Sequence, residues 1–459
     1  MTDFTAFDAA VDTQAAGILA QLADLCRIPS VSAERGPAMQ DAAAFVQQLC
    51  RAAGVQTNLF EQPAGPPIIV GRAGSGPRCL MIYNHYDVQP PDPLDEWLSP
   101  PFAPQQREGK LFARGVSDNK GDLVARLAAI RIYQETVGPL PLRVLYIIEG
   151  EEEIGSPSLF SFGEQQGHWL SEADGCLWEF GAKNANENPV IFLGVKGMAA
   201  FDLRVRTATL DAHSGNGGIF PNAAWRLVEA LDTLRAPDGR VAIDGLLDHV
   251  RQPTDVELAL LESVPLDEEA LDESYGFSNG LLGGLTGAAA VHRWLMEPAL
   301  NINGLTGGYS GSGTKTVIPA QATAKMDMRL VPDLTPEIAF RLLREHLDRR
   351  GFTDVEIVDH HDYLMPWRTS PDSAVARAIT DSIAAVSQHP PVVQPTSAGS
   401  GPMWELCGRN GVPVASAGVS WHNSHVHAPN ESVRIADFVE GIKVMGRLLE
   451  RFAVDREAV

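Results

Sequence analysis

Acids and histidines recur where apolar, strand-like segments of this chain end. These segments lie within residues 79–87, 144–153, 175–179 and 413–427. His85 and Asp87 end the first segment, Glu152 and Glu153 follow the second, and Glu179 ends the third. Several carboxylates gathered with imidazoles in one buried place repel one another unless cations are bound. The pattern therefore predicts a metal site, and the number of acids favours two ions.

Short apolar segments that alternate with helical patterns are typical of a largely parallel sheet, which binds ligands at the carboxyl ends of its strands. Asp118, in the glycine-containing turn 115–121, belongs to the same group. Taken alone, it is better explained as an N-cap of the helix expected near Asp122. As a metal ligand, its two oxygens can serve two cations. His85 alone would also be a structural residue, but with Asp87 it suits a metal-binding imidazole whose second nitrogen is held by a carboxylate.

The acidic run 149–153 has two interpretations. A charged run is usually a solvated loop. This one follows directly on the apolar strand 144–148, which places it at the edge of the sheet where ligands bind. Glu152 and Glu153 can then divide two tasks, metal ligation and general-base catalysis. Taken alone, Glu179 is explained equally well as an exposed acid and as a metal ligand.

Three of the twelve histidines lie in the segment 421–431. If that segment is extended, His425 and His427 point to the same side, because side chains alternate along a strand. Periodicity therefore does not choose between them.

Composition limits the classes of function. The net charge of -22 argues against binding to nucleic acid or to an anionic membrane, because both need a basic surface. The N-terminus is acidic and no apolar stretch reaches the length of a membrane span, so a cytoplasmic protein is expected. Five scattered cysteines without a CxxC pair are expected to be reduced core residues.

At 459 residues the chain is expected to form two domains. Residues 13–26 and 38–53 have helical periodicity, and the second run stops at Gly54. After residue 195 two alternating strands, each followed by a helix, predict an inserted α+β domain. The predicted fold is α/β: a mostly parallel-sheet catalytic domain with helices on both faces, interrupted by the α+β domain. The predicted boundaries are 1–195 and 367–459 for the catalytic domain and 196–366 for the insertion.

Seven segments occur in an order that resembles a known family. They are HYDVQP (85–90), GVSDNKG (115–121), EGEEEIGS (149–156), HSG (213–215), SGSGTKTVIP (310–319), MRLVP (328–332) and HAPNE (427–431). The chain resembles the dinuclear-metal peptidases that include carnosinase-type dipeptidases, aminoacylase, acetylornithine deacetylase and succinyl-diaminopimelate desuccinylase. The similarity spans nearly the whole chain, and SGSGTKTVIP with RLVP points to the carnosinase-like branch.

The resemblance implies a role for each matching residue. His85 and Glu179 would hold one divalent ion, Glu153 and His427 the other, and Asp118 would bridge them. Glu152 would be the general base and Asp87 the partner of His85. The family also implies that the insertion is a lid and a homodimer interface.

Further roles implied by the resemblance lie in or near the lid. His213 would steady the oxyanion in the partner subunit's site, and Arg329 would grip the substrate carboxylate. Ser400 and Gly401, in the glycine loop 398–402, are expected to contact the substrate.

The expected activity is hydrolysis of amide bonds in dipeptides or other small peptides by two divalent cations. Zinc is the expected metal, with manganese or cobalt as alternatives. An N-acyl-amino-acid deacylase or a carboxypeptidase with the same site is the alternative enzyme, and a metal-free binding protein on the same fold is the alternative of another class. Segments 365–367 and 398–402 differ from the dipeptidase pattern and leave the exact substrate open.

Overall fold

The computed structural model describes residues 2–62, 65–277 and 280–454. The chain forms two compact units. The first unit comprises Met1–Gly194, Arg368–Pro395 and Pro402–Val459, and the second comprises Val195–Trp367 and Thr396–Gly401. Residues 396–401, placed by the sequence analysis in the catalytic domain, thus belong to the second unit.

The α-helices of the described residues are α1 (Thr5–Cys26), α2 (Ala38–Ala52), α3 (Lys120–Thr136), α4 (Pro157–Leu170), α5 (Ala223–Asp232), α6 (Asp255–Glu262), α7 (Glu268–Tyr275), α8 (Gly287–Met296), α9 (Pro336–Arg349), α10 (Ala374–Ala384), α11 (Met403–Leu406) and α12 (Ile435–Val454). The β-strands are β1 (Gln56–Phe60), β2 (Ile68–Ala73), β3 (Cys79–His85), β4 (Gln105–Arg107), β5 (Lys110–Phe112), β6 (Arg143–Glu149), β7 (Gly175–Trp178), β8 (Ala182–Lys183), β9 (Val190–Phe192), β10 (Gly194–Val195), β11 (Gly197–Arg206), β12 (Ala212–His213), β13 (Ala299–Gly307), β14 (Val317–Ile318), β15 (Gln321–Leu330), β16 (Val355–Leu364), β17 (Trp367–Arg368), β18 (Val392–Gln394), β19 (Val414–Ser416), β20 (Ser420–Trp421) and β21 (Ser432–Arg434).

The central sheet of the first unit has the strand order β1-β2-β6-β3-β7-β19. β6, β3, β7 and β19 run parallel, whereas β1 and β2 pair antiparallel. His85 lies opposite Glu149, and Ser416 lies opposite Trp178. The carboxyl ends of the four parallel strands therefore share one edge. This architecture confirms the predicted α/β class with a mostly parallel sheet.

Both faces of this sheet are covered, since every residue of β3 is buried. Leu80 and Ile82 belong to the core that includes residues of α1, α2, α3 and α12. Met81 and Tyr83 are buried on the opposite face, because successive side chains of a strand alternate. A strand buried on both faces reads as a continuous apolar run, as residues 79–83 do.

The helix ends of the first unit follow local sequence signals. α2 stops at Ala52, and Gly54 adopts the left-handed conformation with a φ of 73°, as a residue just past a helix end commonly does. α3 begins at Lys120, so its N-terminus lies directly behind Asp118 in the chain.

The second unit contains an antiparallel sheet of order β13-β15-β11-β16. Met326, Met328 and Leu330 of β15 enter its own apolar core, with residues of α5 and α9. Pro336 opens α9, and the side chain of Thr335 accepts a hydrogen bond from the N–H of Ile338 at 3.3 Å. These caps are what the sequence predicts at the start of this helix.

Within residues 2–62, 65–277 and 280–454, no helix combines the length and apolar character needed to cross a bilayer. The five cysteines are unpaired and buried.

Candidate metal centre

The carboxylate of Asp118 lies between two imidazoles of the first unit. His85 Nε2 is 3.1 Å from Asp118 Oδ1, and His427 Nε2 is 3.1 Å from Asp118 Oδ2. Each imidazole also approaches a second acid: His85 Nε2 lies 3.4 Å from Glu179 Oε2, and His427 Nε2 lies 3.0 Å from Glu153 Oε2. The structure thus brings together the five residues expected to bind metal, in two sets that share Asp118.

The ends of parallel strands position three of these ligands and the expected general base Glu152. His85 is the last residue of β3, and Glu179 follows the last residue of β7. Glu152 and Glu153 lie in the single 3₁₀ turn Glu152–Ile154 that follows β6. Because these ends share one edge of the sheet, residues distant in sequence become neighbours.

Asp118 does not act as a helix cap. The N-cap of α3 is Asn119, and no side chain caps this helix. The carboxylate of Asp118 is instead directed at the two histidines. This geometry favours the ligand interpretation of Asp118 over the local one.

Asp87 is fully buried and contacts both His85 and the acidic turn that carries Glu152 and Glu153. Its Oδ1 lies 3.2 Å from His85 Nδ1, the nitrogen turned away from Asp118. Its carboxylate also accepts the N–H of Glu152 at 3.3 Å and the N–H of Glu153 at 3.0 Å. One carboxylate therefore fixes the orientation of an imidazole and the position of the acidic turn.

His425 and His427 do not point the same way. The segment around them is not a strand, and both residues have left-handed backbone conformations, with φ values of 56° and 63°. His425 contacts Asn423 Oδ1 at 2.8 Å and the carbonyl of Pro429 at 3.2 Å. The alternation expected for an extended segment therefore does not apply. Of these two histidines, only His427 contacts the acids of the site.

The ionisation of the acids reflects their burial and their crowding. Burial raises the pKa of Glu179 to about 8, despite the opposing effect of His85. Burial, then the charge of Glu179, holds the pKa of Glu152 well above its ordinary value. Burial and the charge of Asp118 also raise the pKa of Glu153. These carboxylates are costly to ionise together, which favours a cation among them.

The pKa values of the imidazoles and of Asp118 are instead shifted toward the charged form of each group. Hydrogen bonds with Asp118 and Glu153 raise the pKa of His427 to about 10. Burial would raise the pKa of Asp118, but hydrogen bonds with His427 and His85 outweigh burial and hold it below its ordinary value. The three groups behave as a mutually paired cluster.

The donor set suits a divalent ion. One ligand atom each of His85, Asp118 and Glu153 lies within 4.8 Å of the others. Glu179 Oε2 is buried and has no hydrogen-bond partner among the described residues. An orphaned carboxylate oxygen beside an imidazole is a ligand position, and two histidines with carboxylates are a set that zinc, manganese or cobalt accepts.

Two buried residues that the motifs did not single out, Glu431 and Arg114, support the loop that carries Asp118. Glu431 is fully buried and accepts the N–H groups of Gly115 at 2.8 Å, Ser117 at 2.8 Å and Asp118 at 3.0 Å. Arg114 pairs with the same carboxylate at 2.8 Å. The available signal was Glu431 itself, the acid that closes the HAPNE segment.

The other expected site residues lie in the second unit. Arg329 Nη1 donates to Ser400 Oγ at 3.0 Å, and the buried Gly401 follows in the same loop. Lys196, which the sequence analysis did not select, is 3% exposed, and burial, followed by the charge of Arg329, lowers its pKa to about 8. His213 is exposed at the end of β12, and its Nδ1 accepts the N–H of Gly215 at 2.9 Å.

An α/β sheet with a cluster of histidines and acids at its carboxyl edge defines a class of metal-dependent hydrolases. The sequence profile described as peptidase family M20/M25/M40 matches residues 81–451, and the chain belongs to this family. The resemblance predicted from the motifs is thereby confirmed, as is the expectation of a peptidase-type enzyme.

Relatives support the carnosinase-like branch. A Cys-Gly metallodipeptidase of Schizosaccharomyces pombe is 32% identical over 289 residues, which cover 62% of this chain and 60% of the relative. The Beta-Ala-His dipeptidase of Homo sapiens is 28% identical over 433 residues, 91% of this chain and 85% of the relative. The match thus spans about three fifths of the yeast enzyme and most of the human one.

Solved structures share the whole fold. An M20 family metallo-carboxypeptidase of Sulfolobus solfataricus has 35% sequence identity and a TM-score of 0.86, with 95% of this chain and 99% of that chain covered. Human carnosine dipeptidase 1 has 25% identity and a TM-score of 0.74, with 98% and 100% covered.

Proposed function

We propose that this protein is a metal-dependent dipeptidase that hydrolyses the amide bond of dipeptides and other small peptides. The observation that supports this most directly is the contact of His85 and His427 with different oxygens of Asp118. Relatives named as Cys-Gly and Beta-Ala-His dipeptidases support the reaction and the size of the substrate.

In this proposal His85 and Glu179 would hold one divalent ion, His427 and Glu153 would hold the second, and Asp118 would serve both. Zinc is the proposed metal, and manganese or cobalt are alternatives that these ligand types also accept. When bound, the ions supply Lewis-acid polarisation of the attacking water and of the scissile carbonyl.

Glu152 is the proposed general base. It lies in the same 3₁₀ turn as the proposed ligand Glu153 but is not itself assigned as a ligand, so its carboxylate is left to take a proton from the attacking water. A C–O bond first forms between the water oxygen and the carbonyl carbon. The same carboxyl then gives the proton to the leaving amine as the amide C–N bond breaks. Asp87 supports both steps by accepting the N–H of Glu152 at 3.3 Å.

His213 and Arg329 are proposed to act on the substrate. Because the Nδ1 of His213 accepts the N–H of Gly215, the neutral ring carries its proton on Nε2 and can donate it to an oxyanion. Arg329, with Ser400 at 3.0 Å and Gly401 beside it, offers a guanidinium for the substrate carboxylate.

The second unit is proposed to be a lid and the interface of a homodimer, with sequence boundaries at 196–366. Large apolar side chains on its surface support an interface: Leu210 is 79% exposed, Ile219 83% and Trp225 67%. Apolar surface of this kind commonly marks an association site. A cytoplasmic location is proposed as well, since unpaired, buried cysteines suit a reducing compartment.

A carboxypeptidase is the second candidate, because the metallo-carboxypeptidase of Sulfolobus solfataricus shares 35% identity and 95% of this chain. A substrate panel with added zinc, manganese or cobalt separates the possibilities. A dipeptidase cleaves free dipeptides fastest; a carboxypeptidase cleaves N-blocked dipeptides and longer peptides; a deacylase cleaves N-acetyl amino acids. Exclusive turnover of either of the last two groups would overturn the proposed dipeptidase activity.

A further inference from the structure

Arg126 is a buried cation beneath the candidate metal centre that has no part in the proposed chemistry. It lies on α3, two turns after Asp118, and is 3% exposed. Its guanidinium donates to five oxygens, and none of these belongs to a carboxylate. Charge-assisted hydrogen bonds of this type are stronger than neutral ones, and the planar fork of arginine can reach several acceptors at once.

The acceptors lie at the ends of three parallel strands. Nη1 donates to the carbonyl of Tyr83 at 2.9 Å and to Asn84 Oδ1 at 3.0 Å, at the end of β3. Nη2 donates to the carbonyls of Trp178 at 2.6 Å and Glu179 at 3.1 Å, at the end of β7. Nη2 also donates to the carbonyl of Ala417, just after β19, at 2.7 Å.

These contacts concern one half of the candidate site. Asn84 directly precedes His85, and Glu179 is itself a contact of Arg126 through its carbonyl oxygen. A second bond fixes the same carbonyl, since Asn119 Nδ2 donates to it at 2.9 Å. His427 and Glu153 lie on other segments, and none of the hydrogen bonds of Arg126 reaches them.

We infer that Arg126 is a positioning residue for the metal ion held by His85 and Glu179, and that it gathers the three strand ends from which this half of the site is built. The inference rests on the proposed function, because it assumes two ions with these ligands. Partners that orient metal ligands from behind typically change metal affinity by about 10- to 100-fold when they are removed.

The experiment measures metal binding rather than activity. Metal-free protein is titrated with Zn²⁺ in competition with a chromophoric chelator, and the two binding steps are fitted. For Arg126→Met we expect one step to weaken by about 10- to 100-fold while the other is unchanged. Arg126→Lys keeps the charge but has three donors, so it should fall between wild type and Arg126→Met.

Two further variants identify the ion and exclude a general loss of stability. In a His427→Ala background, which retains the ion of His85 and Glu179, adding Arg126→Met should weaken the remaining step. Arg447→Met is the matched control: Arg447 pairs with Asp8 at 2.7 Å in the same unit, away from the ligands. This control should lower the melting temperature and leave both binding steps unchanged.

The inference is overturned if both steps weaken equally in Arg126→Met, or if neither changes. If Arg126→Met does not fold, Arg126→Lys decides between the same outcomes. Failure of the proposed function would look different, because wild-type protein would then bind no ions or would bind two without hydrolysing any small peptide.

Discussion

The N–H of Asp118 donates to Oε1 of Glu431 at 3.0 Å, although 313 positions separate the two residues. Glu431 follows His427 by four positions, so this bond ties the segment of one imidazole to the loop that carries the shared acid. Glu431 also forms an ion pair with Arg114 at 2.8 Å, and both side chains are only 1% exposed. This buried pair strengthens the link between the two segments.

Replacement of Glu431 should therefore destabilise the first unit. Glu431→Ala leaves Arg114 buried without its carboxylate, and removal of one partner of a buried pair costs about 3–5 kcal/mol in the free energy of unfolding. Urea denaturation measures this loss. The double variant Arg114→Met, Glu431→Leu should regain part of it, and a Glu431→Ala protein as stable as wild type would contradict the assignment.

Glu152→Gln should abolish turnover without changing metal content, because Glu152 is proposed as the base and not as a ligand. The rate should fall at least about a hundredfold, the low end for loss of a general base. The matched control is Glu151→Gln in the same loop, where Glu151 Oε2 accepts the N–H of Ser158 at 3.2 Å. Near-normal turnover by Glu152→Gln would exclude this role.

The two histidines of the segment 421–431 should differ in metal content. His427 Nε2 lies 3.0 Å from Glu153 Oε2, whereas His425 binds Asn423 and the carbonyl of Pro429. His427→Ala should lose close to one metal equivalent and His425→Ala should keep both. Mass spectrometry of the intact protein measures the number of bound metal ions per chain. The reverse pattern would exchange the roles of the two histidines.

Complementation tests whether His213 acts in the partner subunit's site. His213→Ala and Glu152→Gln chains, each nearly inactive, are mixed and allowed to exchange subunits. Random mixing makes about half of the dimers mixed, and each mixed dimer has one intact site, so activity should recover toward about a quarter of wild type. If confirmed heterodimers stay as inactive as their parents, His213 does not act across the interface.

The stability of the second unit should depend on pH through His346. This ring is fully buried; its Nδ1 accepts the N–H of Asp244 at 3.1 Å, and its Nε2 lies 3.1 Å from Thr233 Oγ1. Burial, and then the charge of Arg350, lowers the pKa of His346. The unfolded chain therefore binds a proton at a higher pH than the folded one, and stability is lost as pH falls below about 6.5 toward the folded-state pKa.

The comparison of wild type with His346→Gln isolates this contribution. Melting temperatures of both proteins are measured from pH 8 to pH 5. The variant should be less stable at pH 8, where the wild-type ring is neutral and bonded, but should lose less stability on acidification. Parallel curves for the two proteins would show that His346 does not titrate on unfolding.

The sequence by itself determined the fold class, the family and the residue types of the site. Apolar runs such as 79–83 predict strands buried on both faces, and acids at their ends predict a cluster at one edge, because parallel strands align their carboxyl ends. The ordered motifs then assigned each residue an expected role. These inferences depend on local patterns, which a linear sequence displays.

Only the tertiary structure decided contacts that depend on distant segments and on irregular backbone. Alternation could not separate His425 from His427, because the segment turns through left-handed conformations instead of running as a strand. In the sequence, Arg126 is one position of the helix expected near Asp122, and Glu431 is the last residue of the HAPNE motif. Their partners come from three strand ends and from a loop 313 positions away, and a buried group's hydrogen bonds become definite only when the chain has packed around it.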